Sequence, residues 1–538
     1  MPILGYAHRP VACGRDGLVA SAHPAATLAG LDILRAGGNV VDASIAVNAT
    51  LAVVQPHMCG LGGDLFVLYF HAPSSELCFL NAAGRSGSRA TPEALRQRGL
   101  DAVPIQGPLA VSVPGAVAGW GALADRFGSR PLAELLKPAV TLASDGFPVS
   151  DLLAQTITER APLIEDPEWH RIYAPGGEGP RTGAVLRQPD LGRSLARLAA
   201  EGPEAFYQGE VAGRIVEHVA VGGGFLTRDD LARHAARWQR PISTTYRDCT
   251  VFQTPPPTQG FTLLQALNLV ETFDVASLSP QSPDHLHVLV EALKLAYADR
   301  DRYLGDPDHV PVPLATLLDK TYAATRRARL HRRRAARMTV SGELVGDTTG
   351  FVVGAGDGCV LAGIQSLYTA FGAGVVPPGT GIALHNRGSS FSLDPGSPSV
   401  LAPGKQPLHT LVASLVLRDR QPVVALATMG GHGQPQTHLQ ILVNLLDFKM
   451  DPQEAIERPR VIRGKVRPTD PGDRLRVEGR VPARTVATLR RRGHLVDLVP
   501  DRAVVMGHAH VLTVEWTAAG PVLAGGADPR GDGLALGF

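Results

Sequence analysis

The sequence predicts an α+β or a layered αββα architecture. Two observations carry this expectation: helix-period runs fill residues 130–300, and β-type runs separated by Gly, Pro and Asp turns take over from about residue 350. A third agrees with them: a glycine turn at Gly60-Leu61-Gly62-Gly63-Asp64 feeds an apolar strand, Leu65–Phe70, directly after two helical segments.

The first of those helices spans Ala25–Ala36, with Leu28, Leu31 and Leu34 as its apolar stripe and Gly37-Gly38-Asn39 as its stop. The second, Val41–Val53, is rich in alanine and so closely packed. Further helices are expected at Ala133–Ser144, Asp190–Ala200, Glu210–Val221, Phe261–Leu269 and Pro283–Asp299, with a break at Pro255-Pro256-Pro257. Strands are expected at Phe351–Val353, Val360–Ser366, Thr410–Val416, Val423–Met429 and Val511–Trp516. Two helices, Thr437–Leu446 and Pro482–Arg491, interrupt them.

Composition bounds the rest. Of 538 residues 44% are hydrophobic and 19% charged, the profile of a globular chain with a large core. The formal charge is +2, which supplies no global attraction to nucleic acid or anionic membranes. Met1-Pro2-Ile3-Leu4-Gly5 is followed by His8, Arg9 and Arg15 without an apolar core, so no Sec-type signal peptide is expected. Neither is a spanning helix, and a cytoplasmic location is the default. Cys13, Cys59, Cys78, Cys249 and Cys359 are scattered and odd in number, which suggests neither a disulfide framework nor a zinc site. His432 and His438 stand six residues apart and do not share a helical face, so no metal is expected. The basic run Arg326–Arg334 has no interleaved aromatic residues to stack bases, and reads as a solvated, helical connector rather than a nucleic-acid arm.

The most informative segment is Gly346-Asp347-Thr348-Thr349-Gly350-Phe351. By itself a Thr pair opening a strand means little. Together with Ile364-Gln365-Ser366-Leu367-Tyr368, the run Gly379–Gly388, Pro403–Thr410, Met429-Gly430-Gly431 and Ala527–Arg530, it resembles the small subunit of γ-glutamyltransferases. Ala36–Ala43, Gly60–Asp64, Val113-Pro114-Gly115 and Thr254–Pro257 similarly resemble the large subunit. The resemblance spans nearly the whole chain in the right order. It implies a four-layer αββα sandwich of the N-terminal-nucleophile hydrolase type, built from two subunits, 1–347 and 348–538, that stay together as a heterodimer after self-cleavage between Asp347 and Thr348.

The resemblance further implies Thr348 as nucleophile, Ser366 as its supporting hydroxyl and Gly430-Gly431 as the oxyanion hole. A threonine freed at its own N-terminus carries an amine of pKa about 8, so base and nucleophile sit on one residue. Arg85 aligns with the arginine that grips a substrate carboxylate, and His409 and Thr410 with two carboxylate-binding serines. Tyr368, Arg387 and Ser390 replace the residues that hold the substrate α-amino group in the best-known members. A cationic amino group would meet a guanidinium there, so Arg387 beside Arg85 suggests a pocket for an anionic acyl group. These replacements are similar to the glutathione-hydrolase-like and cephalosporin-acylase-like proteins and the oxamate amidohydrolases. The expected substrate is a small amide bearing a γ-glutamyl, glutaryl or oxamate-type acyl group, cleaved by water or passed to an amine, with no cofactor. A non-processing, inactive binding homologue is the alternative of another class. Gly350 stands where the family frequently has histidine.

Overall fold

A computed structural model describes residues 8–337, 346–465 and 471–538; the segment Met1–Gly5 and residues 338–345 before Gly346 lie outside them. Two seven-stranded sheets form the centre. The first runs, in spatial order, Leu534–Gly537, Gly17–Ser21, Asp347–Ala355, Val360–Tyr368, Asp64–His71, Glu76–Ala82 and Arg237–Gln239. The second runs Ala12–Gly14, Gly520–Ala527, Ala509–Thr517, Gln421–Thr428, Ala413–Arg418, Cys249–Gln253 and Ile242–Tyr246. Every neighbouring pair in these two sheets is antiparallel.

Side-chain alternation along the strands builds three apolar layers. Val352, Ala362 and Ile364 of the first sheet meet Leu415, Ala425 and Leu512 of the second in the middle layer. Phe351, Val353 and Leu361 point the other way, into the helices Pro24–Arg35, Val40–Val54 and Ala116–Phe127. Val416, Val424 and Val511 point from the second sheet into Gly260–Val270, Pro283–Tyr303 and Gln434–Leu446. The result is the αββα sandwich expected from the sequence. Both sheets interleave strands from either side of Asp347, so neither half of the chain holds a complete sheet.

Local chemistry explains most element boundaries. Asn39 caps Val40–Val54 in a reciprocal box with Asp42, and all fifteen residues of that helix are buried because other elements enclose it. The stripe of Pro24–Arg35 is rotated from the expected one: Leu31 and Leu34 are buried but Leu28 is 46% exposed. Three-residue steps drift round a helix of 3.6 residues per turn, and the far member slides off the face. The helix expected over Ala133–Ser144 is two, Leu132–Leu135 and Lys137–Asp145, because Pro138 has no N–H to carry the hydrogen-bond ladder across the junction and fits only at the start of a new helix. The strand expected from Thr410 starts only at Ala413. His409 instead pairs its backbone with Pro257 and Gln259, and the Val412 N–H donates to the Gln434 side chain, which pulls the segment off the sheet.

The basic run also differs from expectation. Its helix ends at Arg327, and Arg326 is bound to Asp299 rather than solvated. Beyond it the chain docks on Pro283–Tyr303: His287 bonds the His331 carbonyl, while Lys294 and Glu291 hold the carbonyl and N–H of Ala336. Ligand atoms of His287, Glu291 and His494 lie within 4.8 Å of one another. Their valences are taken by a His287–His494 hydrogen bond and a Glu291–Lys294 ion pair. Among the described residues no helix is long and apolar enough to cross a membrane.

Gly350 has a clear packing role. A Cβ built on it would lie 2.9 Å from the Ala427 Cβ and 3.0 Å from the Ala427 carbonyl carbon, where the two sheets face each other. Gly350→Ala should therefore lower stability by about 1–3 kcal/mol, the usual penalty of overpacking a core. A thermal midpoint unchanged from the parent would contradict this account.

Candidate active site

The site grows from one register. In the antiparallel pair Asp347–Ala355 and Val360–Tyr368, Thr348 stands opposite Ser366 and Asp347 opposite Tyr368, with a bulge between Asp347 and Thr348. Ser366 also faces Asp64 on the next strand. A bulge adds a residue on one strand and re-aims its neighbours. Here it falls on the bond expected to be cut.

Thr348 is buried and donates through Oγ1 to Ser366 Oγ at 3.0 Å. Ser366 Oγ in turn donates to the Asp347 carbonyl oxygen at 2.6 Å and accepts from the Tyr368 N–H at 2.7 Å. One hydroxyl therefore touches both the oxygen that would attack and the carbonyl that would be attacked. Tyr368 sits in the left-handed region at φ 81°, and this places its N–H beneath Ser366. The Asp347 carboxyl is shielded from solvent, and desolvation pushes its pKa up to about 6 against the partial opposition of Arg160.

Gly430 and Gly431 follow the strand Gln421–Thr428 with φ of 126° and 52°, a turn that side chains rarely permit. They lie against the chain just before Asp347: a Cβ on Gly346 would fall 2.8 Å from the Gly431 Cα and 3.2 Å from its nitrogen. Thr348, Ser366, Gly430 and Gly431, separated by up to 83 positions, thus share one end of the sandwich.

On the other side of Tyr368 is a charged pocket. Arg387 is fully buried, its guanidinium 4.1 Å from the Tyr368 ring centre and its Nη1 donating to Thr410 Oγ1 at 3.2 Å. Its Nε and Nη2 have no partner among the described residues. Burial draws its pKa down to about 10, so it stays cationic at neutral pH. His409 is buried with both ring nitrogens unpartnered, edge-on to Phe66, and burial with Arg387 nearby keeps it neutral. Asp64 Oδ2 lies 3.5 Å from His385 Nδ1 and 3.8 Å from His409 Nε2, while its other oxygen accepts from the Gly84 N–H. Burial raises the Asp64 pKa, and His385 and Arg387 oppose that rise. Asp64 and His385 carried no role in the sequence reading. Asp64 merely closed a glycine turn, and His385 sat unremarked inside Gly379–Gly388.

Two expected substrate contacts are engaged elsewhere. The Arg85 fork is held by Asp306 at 3.2 Å, Asp308 at 2.5 Å and the Gly404 carbonyl at 2.8 Å, so it is not a bare cation beside Arg387. Nothing in the local sequence reveals the two aspartates, which arrive on the loop after Pro283–Tyr303. Ser390 donates to the carbonyls of Arg387 and Leu408, which holds its own loop.

A family profile described as gamma-glutamyltranspeptidase matches residues 26–538. The chain belongs to this family. It is 41% identical over 527 residues to the glutathione hydrolase-like YwrD proenzyme of Bacillus subtilis, covering 98% of this chain and 99% of the relative. Against the oxamate amidohydrolase proenzyme of Klebsiella pneumoniae identity is 36%, over 97% and 98% of the two chains. The crystal structure of a cephalosporin acylase from Bacillus halodurans superposes with a TM-score of 0.93 at 36% identity, covering 100% of this chain and 98% of that one. The protein is therefore an enzyme, a γ-glutamyltransferase- and glutathione-hydrolase-like amidohydrolase with the N-terminal-nucleophile hydrolase fold.

The Asp347 shift gives a pH test in uncut chains carrying Thr348→Ala. A carboxyl whose folded pKa is about 6, against an ordinary value of about 4, holds its proton more tightly when folded. Its stabilising contribution is complete below about pH 4 and lost as pH rises through about 6. Relative to the same chain carrying Asp347→Asn, the thermal midpoint should fall between pH 4 and pH 7. A difference that stays flat over that range would show the carboxyl to be solvated.

Proposed function

We propose that the protein cuts itself between Asp347 and Thr348 and then uses Thr348 to cleave amides whose acyl group carries a carboxylate. The observation that carries this reading is the relay from Thr348 Oγ1 through Ser366 Oγ to the Asp347 carbonyl oxygen. When Thr348 Oγ1 attacks the Asp347 carbonyl carbon, negative charge develops on the oxygen that already accepts from Ser366. The proton leaving Thr348 passes to Ser366 Oγ as Ser366 gives its own to that oxygen. As the C–N bond breaks, the intermediate's hydroxyl gives up its proton to reform the carbonyl and the Thr348 nitrogen gains one to become the amine, so the acyl group moves from nitrogen to oxygen; water then hydrolyses the ester. Products are a carboxyl on Asp347 and an α-amine on Thr348, in chains 1–347 and 348–538.

In the cleaved enzyme that amine serves as base for the Thr348 hydroxyl, because a pKa near 8 leaves a useful neutral fraction at physiological pH. The substrate carbonyl is attacked, and its oxyanion faces the N–H groups of the Gly430-Gly431 turn. Water, or an amine, then releases the acyl group from Thr348. Arg387 is the carboxylate anchor: a buried fork with two unpaired nitrogens matches a carboxylate in charge and geometry. Tyr368 and Thr410 orient that fork. Such a pocket favours a short dicarboxylic monoamide, of the glutaryl or oxamate type, over a γ-glutamyl donor.

One observation supports a second reading of the acyl group. The unpaired Oδ2 of Asp64 could receive an ammonium while Arg387 holds the carboxylate, which would suit a γ-glutamyl group after all.

Purified parent protein should run as two fragments, the smaller beginning at Thr348, whereas Thr348→Ala should persist as one chain. Ser366→Ala should slow self-cleavage by about 100-fold or more, the usual weight of a positioned proton donor. A parent that stays whole, or a Thr348→Ala chain that cuts, would sink the mechanism. Among oxamate, a glutaryl anilide and a γ-glutamyl anilide, one of the first two should be turned over best. Arg387→Gln should cost roughly 10- to 100-fold in kcat/KM, the worth of a charge-assisted hydrogen bond. A γ-glutamyl anilide as best donor, lost on Asp64→Asn, would decide for the second reading.

A further inference from the structure

Resting on the reading above, we infer that Gln259 is the positioning residue for the oxyanion turn, and that through it the turn and the acyl pocket are held in one register. Gln259 is fully buried at the start of Gly260–Val270, directly after the triple-proline break. Its Nε2 donates to two carbonyls at once: Gly431, at 3.1 Å, and Thr410, at 2.8 Å. Its Oε1 accepts from Arg300 Nη1 at 2.9 Å. An arginine only donates, so the amide oxygen must face Arg300 and the NH2 must face the two carbonyls. No flipped alternative satisfies all three partners.

The connections place this amide between the two halves of the site. Gly431 belongs to the turn whose N–H groups would meet the oxyanion, and its carbonyl is pinned by Gln259. Thr410 binds Arg387, the proposed carboxylate anchor, through its hydroxyl and is pinned by Gln259 through its carbonyl. The Gln259 backbone N–H adds a bond to the His409 carbonyl at 3.1 Å. Behind the turn, Arg300 also reaches His432 Nδ1 at 2.9 Å, and Tyr297 donates to the His432 carbonyl, so the residue after Gly431 is fixed as well.

The turn needs such support. Gly430 and Gly431 both have positive φ and no side chains, so nothing on the glycines themselves limits the direction of their N–H groups. An oxyanion donor misplaced by about 1 Å costs on the order of 100-fold in rate. The turn also packs against Gly346, just before the bond to be cut, so a displaced turn should disturb self-cleavage as well as substrate turnover.

Two variants test this. Gln259→Leu removes both donors. Gln259→Glu keeps the shape and the oxygen toward Arg300 while setting an oxygen against the two carbonyls. Gln440→Leu is the control, since Gln440 likewise bridges two carbonyls, of Val461 at 2.9 Å and Gln436 at 3.0 Å, from a buried position outside the site. Self-cleavage rate, kcat and KM are measured with the preferred anilide, well below each variant's thermal midpoint. Expected are falls of about 100-fold in both kcat and self-cleavage rate for the Gln259 variants, with KM within about threefold, and an unchanged kcat for Gln440→Leu whatever its midpoint. Should Gln259→Leu not fold, Gln259→Glu alone decides. Retained kcat and self-cleavage in a folded Gln259 variant, or a raised KM with normal kcat, would overturn the inference. So would a loss of kcat in Gln440→Leu matching that of the Gln259 variants. Thr348→Ala, assayed alongside, separates failure of this inference from failure of the nucleophile assignment.

Discussion

The pairing of Thr348 with Ser366 across two antiparallel strands is the constraint on which the site depends. Side chains alternate along a strand, so a slip of one residue would turn Thr348 toward the helices and leave Ser366 facing the wrong strand. The packing layers on the two faces of this sheet resist that slip. Val352 belongs to the layer between the sheets, and Phe351 and Val353 to the layer under Val40–Val54, so a change of register would move each set into the other's place. The apolar core thus acts on catalysis indirectly, by holding a hydroxyl opposite a hydroxyl.

The same sandwich explains how a chain could be cut beside its core and remain one molecule. Strands from before and after Asp347 pair within each sheet: Gly17–Ser21 with Asp347–Ala355, and Cys249–Gln253 with Ala413–Arg418. Separating the halves would expose both sheet edges and all three apolar layers. Glu457 adds to this lock by accepting from the His8 and Arg9 N–H groups, and within the second half a buried charge cluster joins Arg530 to Glu478 and Asp528, and Asp528 to Arg460. Charges so deeply buried are tolerated because each is paired and hydrogen-bonded.

The charged pocket is arranged differently from the hydroxyl relay. The relay is saturated: Ser366 gives one hydrogen bond and receives two. The pocket instead retains unmet valences on Arg387, His409 and Asp64, all fully buried. Leaving such groups unsatisfied costs stability, and enzymes keep that cost where a ligand removes it. In the proposed mechanism, bond-making lies at one side of Tyr368 and recognition at the other.

Much of this was legible in the chain itself. Helix and strand periods narrowed the fold to an α+β or layered αββα architecture, because amphipathic periodicity is a local property, and the family resemblance selected the four-layer sandwich. The Asp347-Thr348-Thr349 and Gly430-Gly431 segments could be singled out through their resemblance, together with the other matching segments, to the γ-glutamyltransferases, since a Thr pair or a Gly pair by itself means little. Contacts between segments could not be read this way. That Asp306 and Asp308 engage Arg85, that Ser390 turns to its own backbone, and that Asp64 and His385 join Arg387 depend on loops separated by tens to hundreds of residues. Gln259 makes the point most plainly, as its neighbours Pro257 and Gly260 announce only a turn and a helix start. The sequence alone determined which residues could react and which layers would bury them, because those follow from residue type and period. Only the tertiary structure decided which buried charges would meet, because hydrogen-bond partners are chosen by distance in space.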